Sequence, residues 1–238
     1  MSPVEIKKIK YRNRRVIGKQ RKYYENLAVQ PDYSKKYIYV ALHCYPEDTI
    51  PPMGSIYSNQ CFVVDILKQN IPEDWHIYVK ENRVQFYPIN KHIKPRSRMF
   101  YNYIHDNQNV SLVDIRTPQF DLIDNSQAVA TLIGTTGWEA VNRGKPAIIF
   151  GNAWYRGCEG VFCITSNRDC KNAIDSIVNG YAVEYNKVKK FAYAAEQVCV
   201  RAAINPGWAR QFDITYDENV RALTSAIQNK LVSEESNV

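Results

Sequence analysis

The chain has 238 residues, 45% of them apolar and 23% charged, the balance of an ordinary globular protein rather than of a disordered, collagenous or coiled-coil chain. No apolar run approaches the ~18 residues that a membrane helix needs, and the charged start Met1–Lys10 has no signal-like apolar core. The formal net charge of +7 is unevenly placed: residues 1–36 hold 11 Lys/Arg against 3 Asp/Glu, and the remainder holds 20 against 21.

Residues 1–36 are therefore expected to form a basic arm or linker outside the main domain. Ile6, Ile9, Val16, Ile17 and Leu27 are spaced with weak helical periodicity, but Gly18 and the density of like charge argue against a stable lone helix. Pro31 and Asp32 mark a break. Tyr37 to Leu42 is a β-rich apolar run, expected as a buried strand. Pro46, Pro51, Pro52 and Gly54 predict a loop, and 59–68 a helix with Phe62, Ile66 and Leu67 on one face. Strands are expected over 75–79, 110–113, 128–133, 147–150 and 161–165. Helical segments are expected over 97–105, 120–125, 138–142, 169–179, 185–204 and 219–231. Residues 37–231 would then be one domain, and 232–238 a flexible tail. Strand and helix alternate throughout, which implies βαβ units: an α/β fold with a Rossmann-like parallel sheet and helices on both faces.

Six cysteines without a C-x-x-C pair, and four scattered histidines (His43, His76, His92, His105), predict reduced packing thiols and no metal site.

In such folds ligands bind beyond the carboxyl ends of the strands, which singles out four stretches. Gly134-Thr135-Thr136-Gly137 lies between a strand and a helix. Its glycines and helix-start N–H groups suit a phosphate or carboxylate. It is not a Walker A loop, and Thr136-x-x-Glu139 also fits a local capping box. Lys80-Glu81-Asn82-Arg83 suits a diphosphate or a sugar-acid carboxylate, or else forms internal Lys80–Glu81 or Glu81–Arg83 pairs on a solvated loop. His43, directly after the first strand, and Glu47 are placed for acid–base work, or His43 bonds to backbone. Gly151 to Gly157, with Trp154 and Tyr155, suits stacking on a base or sugar, or is a packed aromatic loop.

Together and in this order, the segments 39–60, 72–82, 98–104, 122–124 and 128–155 resemble the bacterial capsule and surface polysaccharide biosynthesis proteins of the Kdo-transferase-like type, specifically their C-terminal, donor-binding half. The resemblance covers roughly residues 37–165. It implies one half of a GT-B glycosyltransferase. The missing signal and the unpaired cysteines lead us to expect a cytoplasmic protein, with peripheral contact at the inner membrane face as an open alternative. The expected donor is a CMP-activated sugar acid such as CMP-Kdo, with no cofactor and no metal. Carried over, Gly134, Thr135, Thr136, Gly137, Glu139, Lys80, Asn82, Arg83 and Tyr155 would hold the donor, and His43 and Glu47 would line the catalytic cleft.

Two departures stand out. The family reads Lys-Glu-His-Pro where this chain has Lys80-Glu81-Asn82-Arg83. That substitution implies a different donor, weaker binding or an inactive relative. The acceptor-binding domain is also expected to lie in a partner domain or subunit. The implied ligands are a nucleotide-sugar and a glycan acceptor. The competing reading is a non-catalytic binding or scaffold protein on a degenerate glycosyltransferase fold. The arm, with Tyr11, Tyr23 and Tyr24 among its basic residues, could meet nucleic acid or an anionic membrane surface. The neutral body makes nucleic acid the weaker expectation.

Overall fold

The computed structural model describes residues 2–47, 50–87, 94–203 and 206–235. His92, residues 48–49 of the loop after the first strand, Ile204 of the expected 185–204 helix, and 236–238 of the expected tail lie outside the described residues. The chain forms two compact units, 1–188 and 189–238.

The first unit opens with α1 (Pro3–Leu27), started by a capping box between Ser2 and Glu5. The helical elements and strands that follow are β1 (Tyr37–Ala41), α2 (Ile50–Gly54), α3 (Cys61–Asn70), β2 (His76–Lys80), α4 (Arg98–His105), β3 (Val110–Leu112), α5 (Gln119–Asn125), β4 (Ala128–Thr131), α6 (Thr135–Asn142), β5 (Ala147–Ile149), β6 (Val161–Cys163) and α7 (Asn167–Val178). α8 (Tyr185–Val198) crosses into the second unit, where α9 (Pro206–Gln211) and α10 (Tyr216–Glu235) follow. In that unit Asn219 ties both the N–H and the carbonyl of Ala203 at 2.7 Å.

All six strands are parallel, in the order β3-β2-β1-β4-β5-β6. The expected Rossmann-like sheet is thus present, with its topological switch point between β1 and β4. The pleat sorts the core. Ile38 and Val40 of β1 face one layer with Ile77, Val79, Leu112 and Ile148, against Leu67, Ile104 and Ile174 of α3, α4 and α7. Tyr37 and Tyr39 face the other with Val129, against Leu122, Ile123 and Ala140 of α5 and α6.

Four local expectations need correction. The basic segment is not an arm outside the domain along its whole length. Ile17, Gln20 and Tyr24 of α1 are buried, and Ile17 and Tyr24 join the first core layer. Beyond α1, Val29 bridges to Val113 beside the edge strand β3. The objection to a lone charged helix does not apply, because tertiary packing of one apolar stripe supplies its stability. The proline-rich stretch expected as loop contains α2, with Pro51 and Pro52 in its first turn, where a missing N–H costs nothing. Phe62 is 47% exposed, and α3 instead buries Val63, Val64 and Leu67. The expected pair of C-terminal helices is three, α8 to α10.

Candidate functional site

At the switch point the chain leaves β1 and β4 in diverging directions and opens a two-lobed cleft. One lobe, of about 390 Å³, is lined by residues including Tyr39, Lys80, Arg83, Arg116, Thr117 and Gln119. The other, of about 270 Å³, is lined by residues including His43, Glu47, Thr131, Ile133, Gly134 and Thr135. Ala41, Leu42, Asn82 and Thr136 belong to both. The structure therefore brings His43, Glu47, Lys80, Asn82, Arg83 and Gly134–Thr136 together around one cleft.

His43 is buried and fully engaged. Its backbone N–H donates to Gln60 Oε1 at 2.8 Å, and its carbonyl accepts from Arg96 Nη2 at 2.6 Å. The ring Nε2 accepts the Ile133 N–H at 3.2 Å, which leaves Nδ1 as the protonated nitrogen, 3.2 Å from Glu47 Oε2. The His43 ring is thus held between the Ile133 N–H and Glu47, whose half-exposed carboxylate lines the smaller lobe.

After β2, the carboxylate of Glu81 is tied into a buried network. Arg96 Nε donates to it at 2.7 Å and the Tyr101 hydroxyl at 2.7 Å, and the Asn82 N–H donates at 2.9 Å. The Tyr24 hydroxyl of α1 accepts the Glu81 N–H at 3.1 Å and donates to Val113 O at 2.5 Å. Neither internal pair expected for this stretch forms, because Arg96 takes the carboxylate. Asn82 caps a 3₁₀ turn over Arg83–Phe86 by accepting the Val84 N–H at 3.0 Å. Lys80 Nζ, buried, donates to Thr117 O at 2.6 Å. Burial first and Arg83 second push its pKa down to about 8, with Asp114 acting the other way.

The glycine-bracketed segment after β4 is the first turn of α6 rather than a separate loop. Gly134 is its N-cap residue, without a side-chain cap. The Thr135 and Thr136 N–H groups have no helical carbonyl to reach; Thr135 lines the smaller lobe and Thr136 lines both. The capping box does not form: Glu139 instead accepts from Gln119 Nε2. Gly137 is buried against Tyr155, where an added Cβ would lie inside the contact distance of the Tyr155 hydroxyl and 3.1 Å from Cε2 and Cζ. Tyr155 is 0% exposed and its hydroxyl donates to Gly134 O. Gly137 and Tyr155 thus brace the turn from behind. Trp154 is 57% exposed and packs on Trp138 at 4.9 Å, while Gly151, Asn152 and Arg156 line a separate cavity of about 250 Å³ beyond β5 and β6.

The sequence reading missed Arg96, Tyr101 and Thr117, and it placed Tyr24 on a ligand-facing arm although that side chain is buried. No local pattern separates a buried tyrosine or arginine from a surface one; only the assembled layers reveal them. The six cysteines are free, and burial pushes the thiols of Cys44 and Cys61 up to about 11. Among the described residues no cluster of His, Cys, Asp and Glu could hold a metal ion, and no helix is long and apolar enough to cross a membrane.

Several solved structures are similar. The β-Kdo 2,7-transferase KpsC of Thermosulfurimonas dismutans is 17% identical with a TM-score of 0.42, over 82% of this chain and 64% of that one. The β-Kdo 2,4-transferase of the same KpsC is 16% identical with a TM-score of 0.41, over 76% and 56%. The UDP-GlcNAc 2-epimerase of Methanocaldococcus jannaschii is 11% identical with a TM-score of 0.46, over 75% and 49%. The chain spans less than two thirds of the length of each. No curated protein matches the sequence. Residues 3–172 match the capsule polysaccharide biosynthesis protein family, a match that takes in α1, the whole sheet and the cleft, and the chain belongs to that family.

Proposed function

We propose that the chain binds a nucleotide-activated sugar in the two-lobed cleft and serves as the donor-binding half of a GT-B glycosyltransferase in capsule polysaccharide biosynthesis. The observation that carries this reading is the convergence, at the β1/β4 switch point, of the α6 N-terminus, the Glu47 carboxylate and the Lys80–Arg83 segment. The donor we propose is a CMP-activated sugar acid such as CMP-Kdo, the class implied by the sequence resemblance. In the transfer, the anomeric carbon–oxygen bond to phosphate breaks and its electron pair leaves with the phosphate. The N–H groups at the α6 start stabilise that charge. The acceptor hydroxyl bonds to the anomeric carbon and gives its proton to Glu47, which His43 Nδ1 orients. A glycan acceptor and an acceptor-binding domain or subunit complete the reaction.

Calorimetric titration with CMP, CMP-Kdo and a UDP-sugar tests the donor, and transfer in the presence of an acceptor-binding domain tests the chemistry. Glu47→Gln is expected to retain donor affinity and to lose at least about 100-fold in transfer, the scale of a general base. Binding of none of the three nucleotides would overturn the proposal. A second reading, a binding or scaffold protein without catalysis, is favoured by Asn82, which cannot carry a proton, and by the fully engaged ring of His43. It predicts donor binding with no transfer in any combination.

A further inference from the structure

The larger lobe presents hydrogen-bond donors without matching acceptors. Lys80 Nζ carries three donors and its hydrogen bond goes to the Thr117 carbonyl, a neutral acceptor. The Thr117 hydroxyl beside it is buried and has no hydrogen-bond partner among the described residues. Arg83 and Arg116 line the same lobe. The nearby carboxylates are committed elsewhere: Glu81 to Arg96 and Tyr101, and Asp114 to Arg116 at 2.5 Å and to Gln30 at 3.0 Å. Buried polar groups are normally satisfied and buried cations paired, so an unpartnered hydroxyl beside an ammonium bonded to a neutral carbonyl marks a place for a missing anion.

We propose that this lobe is an oxyanion subsite, in which Lys80, Arg83 and the Thr117 hydroxyl hold a phosphate or carboxylate of the ligand bound in the cleft. The assignment rests on reading the cleft as a substrate site, and adds Thr117 and the polarity of each lobe. The acidic lobe of Glu47 then receives sugar hydroxyls, and the basic lobe receives the anion. Asn82 and Thr136, shared by both, lie where the ligand crosses. The depressed pKa of Lys80 agrees with a cation awaiting its counter-charge.

Binding of CMP, cytidine, a free sialic acid and inorganic phosphate to the full chain, with K80M, K80R, R83Q and T117V variants, tests the subsite. Wild type should bind CMP at least about tenfold more tightly than cytidine, the scale of a charge-assisted hydrogen bond. K80M should bind CMP no more tightly than wild type binds cytidine. The affinity for CMP should fall as pH rises above about 8, where free Lys80 loses its proton, and K80R should abolish that fall. Tyr39 on β1, Glu81 and Arg83 after β2, and Asp114 and Arg116 after β3 surround Lys80, and K80R retains them all. If the sialic acid, and not CMP, loses affinity in K80M, the lobe takes a carboxylate and the subsite stands. If inorganic phosphate binds with Lys80 dependence and no nucleotide binds, the subsite stands and the donor reading falls. If CMP and the sialic acid each bind wild type, K80M, R83Q and T117V alike, the subsite is overturned while the substrate cleft survives. If no probe binds, both fall. Should K80M fail to fold, the exposed Arg83→Gln change decides.

Discussion

The bracing of the α6 turn by Gly137 and Tyr155 predicts a specific stability coupling. Gly137→Ala places a Cβ inside contact distance of the Tyr155 hydroxyl and 3.1 Å from two ring carbons. The ring is fully buried, so it cannot swing into solvent. Overpacking of this kind costs about 1–3 kcal/mol, and displacing the hydroxyl from Gly134 O adds about 1–3 kcal/mol for a buried carbonyl left unpaired. Alanine recovers about 1 kcal/mol of helix propensity. The net expectation is a loss of about 1–5 kcal/mol. Tyr155→Phe alone loses the hydrogen bond and about 1–3 kcal/mol. The double variant removes the clashing oxygen and should be more stable than the sum of the single losses by about 1 kcal/mol or more, because the two share one contact. Urea denaturation of the four proteins, with fitted m-values, measures this. Wild-type stability in Gly137→Ala, with loss of nucleotide binding alone, would refute the reasoning and return Gly137 to a ligand-contacting role.

Three further outcomes are expected. Arg96→Met leaves the Glu81 carboxylate buried without its cation and should cost about 3–5 kcal/mol in the same denaturation assay; a loss under about 1 kcal/mol would mean that the network does not anchor α1 and the loop after β1. Lys80 is held at about 8 in the folded chain against about 10.4 when exposed. The unfolded chain then binds more protons between those values, so the stability of wild type relative to K80M should rise from pH 8 to 10.5 and be lost as pH falls through about 8. A difference independent of pH would contradict the burial of that ammonium. His76, bonded to Ser111 at 3.1 Å, is pushed down to about 4 by burial and then by Lys35. Its contribution to stability is present above about 6.5 and is lost as pH falls towards 4. Its ring protons should titrate near pH 4 in an NMR series, and a midpoint near 6.5 would exclude the effect.

Much of the fold is written locally. Apolar runs such as Tyr37–Ala41 and Ala128–Thr131 can be satisfied only by a strand buried on both faces, and their alternation with helical segments leaves a parallel sheet as the consistent arrangement. The carboxyl ends of those strands are then known, and with them the residues His43, Glu47, Lys80, Asn82, Arg83 and Gly134–Thr136 that the cleft assembles. The basic segment illustrates the limit. Its charge suggested an independent arm, yet Tyr24 reaches both Val113 and Glu81. Three spaced side chains secure the helix, and charge density carries no record of what they pack against.

The sequence by itself determined the fold class and the family, because periodicity, strand ends and motif order are local properties of the chain. Only the tertiary structure decided what each residue does. It turned Glu81 inward to Arg96, engaged both ring nitrogens of His43, placed Tyr155 behind Gly137, and left the buried Thr117 hydroxyl without a hydrogen-bond partner among the described residues. Hydrogen-bond partners lie 90 residues apart between His43 and Ile133, and 97 apart between Asn70 and Asn167. A side chain's role depends on which of those partners it meets, and a linear pattern does not encode that.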